Sequence, residues 1–132
     1  SRSRGLGDVY KRQFLYLMIA AFISLVGMLF HGIIGQKIYM GNIYKSDLEA
    51  LTQSLSLVSW HIFTIFLFVS FATCILVAFN SGLSIMLYPV IGTNLLGSIM
   101  FLVLGISGHG ALLKLPGLYL MGFTALFAYL SI

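Results

Sequence analysis

The chain has 132 residues, 60% of them hydrophobic and only 8% charged, with a formal net charge of +4 and a mean hydropathy of +1.06. A soluble domain is about a quarter charged, and a globule of this size could not cover so much apolar surface with so little polar surface. Composition excludes an ordinary soluble domain and points to lipid as the solvent, with room for three or four spans of about 20 residues each.

The N-terminal stretch carries most of the net charge. Residues 3–13, SRGLGDVYKRQ, look like one reading frame of a sequencing-library transposase adapter, matched without a gap. Segment 1–13 is therefore read as non-native, expected to be disordered, and set aside from fold reasoning. The native N-terminus is expected to be missing or to lie close to Phe14. Without Arg2, Arg4, Asp8, Lys11 and Arg12, the remaining charges are Lys37, Lys45 and Lys114 against Asp47 and Glu49. The apparent basic arm disappears, and no nucleic-acid partner is expected.

The first greasy run, residues 14–35, is uncharged. At ~1.5 Å per residue it covers about 33 Å, enough for a hydrocarbon core about 30 Å thick. Ala20, Ser24, Gly27, His31 and Gly35 recur at helical spacing on one face. Small residues let helix backbones approach closely in lipid, where packing drives association. This face, His31 included, is expected against another helix, and Phe22, Leu25, Leu29 and Phe30 suit lipid.

Residues 36–50 read as the one long polar connection. Ser46-Asp47-Leu48-Glu49 has the form of a capping box, which starts the second helix near Asp47. A helix over 47–79 would be about 50 Å long, so its first turns are expected outside the hydrocarbon, with a span over 57–79. Trp60 at that boundary suits an interface anchor, and His61 follows it. Thr64, Ser70 and Thr73 can bond back to their own helix carbonyls. Cys74, the lone cysteine, cannot form an intrachain disulfide and is read as a small packing residue.

Asn80-Ser81-Gly82 reads as a tight turn. The third span, 83–106, contains Pro89, expected to kink it, and Asn94, which needs a partner across a helix interface. A glycine-rich connection over 107–115 holds His109 and Lys114. Pro116 suits the first turn of a fourth span, 116–132. The expected fold is an all-α integral membrane four-helix bundle, up-down-up-down. The alternative is three spans with the last segment lying in the interface. The lysines fall in the first and third connections, so the positive-inside rule places those in the cytoplasm and both chain ends outside.

Residues 14–132 resemble a family of small uncharacterised bacterial membrane proteins with four spans. The resemblance rests on His31-x-x-x-Gly35 ending the first span, Trp60-His61 opening the second, and Lys114-Leu115-Pro116 before the last. The first connection of that family is usually richer in arginine than this one. The resemblance implies the four-span architecture and a bacterial cytoplasmic membrane, and it implies no activity.

His31 and His61 sit at facing ends of two spans, each roughly 6 Å inside the same boundary. They are candidate ligands for haem or a metal ion, since neutral imidazole is the commonest metal ligand. A proton relay is a further reading. The bland reading, and the one favoured here, is two neutral, hydrogen-bonded rings that fix the hairpin, with no cofactor. No nucleophile is placed with a base and an orienting acid, and there is no HExxH, so no enzyme is expected. An exporter would need a carboxylate inside the bundle, whereas Asp47 and Glu49 lie outside the greasy runs. The leading expectation is a non-enzymatic accessory or structural protein of the lipid bilayer, as a homo-oligomer or beside another membrane protein. The rival is a haem- or metal-binding redox membrane protein using His31 and His61, and a small transporter is the weaker alternative.

Overall fold

The structure is a computed structural model and describes residues 2–132, with side chains from residue 5 onward. Every regular element among the described residues is helical. The chain opens with one continuous rod. Helix α1 (Arg2–Leu29) runs into a π-helical stretch (Phe30–Met40) and then a single α-turn, α2 (Gly41–Tyr44). The backbone stays helical through both junctions, with Leu29 at φ −66°, ψ −43° and Gly41 at φ −57°, ψ −38°. Helix α3 (Ala50–Phe79) follows. A 3-10 turn (Ser81–Met86) leads into α4 (Leu87–Ile106), and a second (Gly110–Lys114) leads into α5 (Pro116–Leu130).

Three stretches, Gly5–Tyr44, Ala50–Phe79 and Ser81–Ile106, are long and apolar enough to cross a membrane. Helix α5 is apolar but has 15 residues, about 22 Å against a hydrocarbon core of about 30 Å. Pro116 opens it, as its missing N–H and fixed φ suit a first turn.

Helix α1 packs on both α3 and α5, and α4 packs on α5. The contacts give each pair its direction. Phe14 meets Phe79 edge-on at 5.4 Å, and His31 meets Thr64, so α1 and α3 run antiparallel. Ser24 reaches Thr124, while Gly27 lies beside Leu120, so α1 and α5 are antiparallel too. Ser98 of α4 donates to the Leu118 carbonyl of α5 at 2.8 Å, one turn from where Gly97 faces Met121. The core gathers where these helices meet, around Leu17, Ala20, Ala21, Cys74, Val77, Leu87, Val90 and Ala128. Phe22, on the opposite side of α1, is 66% exposed, as a lipid-facing residue should be.

Four expectations change. Residues 2–13 are helical rather than disordered, as an unbroken N-terminal extension of α1, although residues 5–12 stay exposed. The long polar connection shrinks to residues 45–49, because 36–44 continue the rod. Its apolar members supply the reason: Met40 is only 2% exposed, and Tyr39 packs near Trp60. The capping box does not form. Ser46 instead donates through both its hydroxyl and its backbone N–H to the Ile43 carbonyl, closing the end of α2. With that serine engaged, α3 starts at Ala50 with no side-chain cap, and Gln53 donates to the Ser46 and Leu48 carbonyls. Pro89 falls in the first turn of α4, where the 3-10 turn has already ended, so its missing N–H interrupts no helix interior.

Candidate functional site

The site forms where the π-helical stretch crosses α3. The small-residue face of α1 arrives as the spacing requires, with Ala20, Ser24, Gly27 and Gly35 all buried. Beyond Gly35 the register widens. An α-helix would next turn Ile38 inward, yet Ile38 is 52% exposed and Met40 is buried. The i→i+5 bonding of a π-helix gives this wider turn, and such turns are frequent at functional sites.

His31 is gripped from several sides. Its Nδ1 lies 2.8 Å from Thr64 Oγ1. Its ring stacks on the Trp60 indole, with centroids 4.1 Å apart and planes 11° from parallel, and Phe63 lies at 4.8 Å. Trp60 in turn donates its indole N–H to the His31 carbonyl at 2.9 Å. Two glycines make room for this clasp. A Cβ on Gly32 would come within 2.9 Å of Thr64 Cγ2, and one on Gly35 within 3.0 Å of Trp60 Cζ2. Trp60 and Thr64 share one face of α3 because they are four residues apart. Trp60 is therefore turned into the helix interface and bonded there, beyond any role as a boundary anchor.

His61 lies next along α3, half-buried. Among the described residues no side-chain hydrogen bond joins it to His31, and no group of three or more His, Cys, Asp and Glu side chains is placed to hold a metal ion. His109 is exposed in the loop before α5, where its backbone N–H donates to the Leu104 carbonyl at 3.0 Å.

Beside the clasp lies an open cavity of about 750 Å³. Its walls come from the end of α1, the π-helical stretch and α2, from α3, and from α4, α5 and the 3-10 turn between them. His31, Trp60, Tyr39, Phe63 and Phe101 supply aromatic surface, and Thr52, Ser56 and Ser59 line one end. His61 is not among its lining residues.

A second polar contact ties the other half of the bundle. Asn94, fully buried, donates through Nδ2 to Ser70 Oγ at 3.1 Å and to the Val90 carbonyl at 2.8 Å. Its Oδ1 is buried with no hydrogen-bond partner among the described residues. Thr124 completes the polar set, accepting from Ser24 at 3.5 Å and donating to the Leu120 carbonyl. The sequence predicts that Thr64 and Ser70 bond to their own helix. Thr64 does reach the Trp60 carbonyl, at 3.4 Å, but both hydroxyls also join neighbouring helices. Gly32 and Thr124 were not singled out for this role. The signal for Thr64 was its position one turn after Trp60.

Comparison of the chain with protein-family models, with curated proteins and with solved structures finds no match.

Proposed function

We propose that the protein is a non-enzymatic integral membrane protein, an accessory or structural component of a membrane, with four spans arranged up-down-up-down. In this reading the connections bearing Lys45 and Lys114 face the cytoplasm and both ends of the chain lie outside. The short α5 spans by drawing on neighbours and on local bilayer thinning, which cost only fractions of a kcal/mol per Å of mismatch. The antiparallel contacts of α1 with α3 and α5, and of α4 with α5, support the arrangement. The resemblance to small four-span bacterial membrane proteins fits it.

One observation carries the structural reading of the histidines: His31 is engaged at its side chain and its backbone at once. Its Nδ1 meets Thr64, its ring covers Trp60, and its carbonyl accepts from Trp60. A polar residue inside the membrane is costly unless satisfied, and here the satisfaction comes from the adjoining helix. In this reading His31 is a fastener between the first two spans and binds no haem.

The test is the cofactor content of protein purified in mild detergent from cells supplied with iron and haem precursor. The reading expects no Soret band and no stoichiometric metal. A stoichiometric haem or metal that vanishes in His31→Ala or His61→Ala would replace it with the redox reading.

A further inference from the structure

The cavity beside the clasp is graded from polar to apolar along its length. On α3 its wall runs from Thr52 through Ser56, Ser59 and Trp60 to Leu67, about four turns or ~22 Å. The three hydroxyls share one end. The far end is lined by Leu67, Gly27 and Met121. If the hydrocarbon begins near Leu57, the hydroxyl end lies at the interface and Leu67 lies ~15 Å deeper, near the bilayer midplane. The cavity thus has the depth of one leaflet. Among the described residues no Asp, Glu, Lys or Arg lines it, so its wall offers no fixed charge to pair with a phosphate, and its polar groups include hydroxyls and the His31 ring, whose Nδ1 is already taken by Thr64. Ser56 already donates to the Thr52 carbonyl at 2.8 Å, which leaves its oxygen lone pairs to accept from a ligand hydroxyl. Its volume of about 750 Å³ falls within the range of small-molecule sites, which pair mostly apolar walls with a few convergent polar groups.

We propose that this cavity binds a neutral lipid with a long hydrocarbon tail. Its uncharged hydroxyl- or carbonyl-bearing head rests at Thr52, Ser56 and Ser59, and its tail runs past the aromatic wall toward Leu67 and Met121. The proposal rests on the membrane reading above. A charged head would have to leave its counter-charge in water or stay outside the wall, which is why the site discriminates by charge rather than by tail.

Trp60, the single tryptophan of the chain, lines the cavity and reports on it. The full chain is reconstituted in phosphatidylcholine vesicles and titrated with a monoacylglycerol brominated along its chain, which quenches indole fluorescence on contact. Flotation of the vesicles after carbonate washing comes first, since a chain that fails to float refutes the membrane reading on its own. The proposal expects saturable quenching, displaced by unbrominated monoacylglycerol and not by lysophosphatidylglycerol. The saturable component is lost in Ser56→Phe and in Gly117→Leu, which fill the cavity from opposite walls, and kept in Val58→Phe on the exposed side of α3. An unchanged Trp60 emission maximum and melting temperature identify whichever filling variant folds. Quenching that rises without saturation, matching brominated phosphatidylcholine, would overturn the proposal by making the cavity ordinary lipid contact. Equal displacement by lysophosphatidylglycerol would overturn the neutral head.

Discussion

The imidazole of His31 lies face to face with the indole of Trp60, 4.1 Å between centroids, while that indole donates its N–H to the His31 backbone carbonyl at 2.9 Å. One tryptophan thus holds one histidine by two independent contacts. Gly35 lets the indole edge approach the π-helical backbone, and Thr64, one turn further along α3, takes the imidazole Nδ1. The clasp joins the two longest helical segments at the level where the first passes from α- to π-geometry.

Truncation of Trp60 should separate its two contacts. Trp60→Phe keeps an aromatic face and loses the N–H donor, leaving the bond to His31 unmade at a cost of about 1 kcal/mol. Trp60→Ala also removes the ring and should cost about 3 kcal/mol. Unfolding titrations in mixed micelles measure both. Equal losses for the two variants would mean that the ring face contributes nothing.

The glycines of the π-helical stretch should tolerate no methyl. Gly32→Ala presses on the β-branched Thr64, whose side chain has little rotamer freedom, and Gly35→Ala presses on the indole. Each should destabilise by about 1–3 kcal/mol through overpacking. Gly41→Ala, with nothing within reach of a new Cβ, should instead stabilise by about 0.5–1 kcal/mol through helix propensity. Thermal unfolding of the three single variants gives the ranking, and a neutral Gly32→Ala would contradict the close approach.

Asn94 and Ser70 should couple only modestly despite complete burial. Hydrogen bonds between membrane helices average about 0.6 kcal/mol and reach about 1.7 kcal/mol. Asn94→Leu fills the same space and removes the unpartnered Oδ1, so it should cost less than Asn94→Ala. A double-mutant cycle over Asn94→Ala and Ser70→Ala reads the coupling.

The proposed four-span arrangement predicts the sidedness of single cysteines. The native Cys74 is fully buried and should give little background labelling. Cysteines placed at Asn80 and at Ile132 should react with an impermeant maleimide from the same side, and one placed at Lys45 from the other. Opposite sidedness for Asn80 and Ile132 would favour three spans with α5 in the interface.

The sequence was most legible where a residue type has one cheap use in lipid. The stripe Ala20, Ser24, Gly27 and Gly35 is buried because small residues at helical spacing leave a groove that only another helix fills. Pro116 starts its helix because a missing N–H costs nothing there. Asn94 found Ser70 because a buried amide must find something. The rod beyond Gly35 was not legible, since π-geometry has no residue signature and 36–44 mix polar and apolar side chains. The capping box misled because Ser46 had a competing carbonyl to serve at Ile43. The stack of His31 on Trp60 depends on the register of two helices, which neither helix states alone. The cavity takes its walls from elements spread along the chain from α1 to α5, so no single stretch announces it.

The most direct measurement of the clasp is the coupling free energy between His31 and Trp60. It comes from unfolding titrations of the unaltered chain, His31→Ala, Trp60→Ala and the double variant in one detergent. The double variant is expected to lose less than the sum of the single ones, with a coupling of about 1 kcal/mol or more. Losses that add to within about 0.3 kcal/mol would show that the two side chains act independently, and that His31 does not fasten the first two spans.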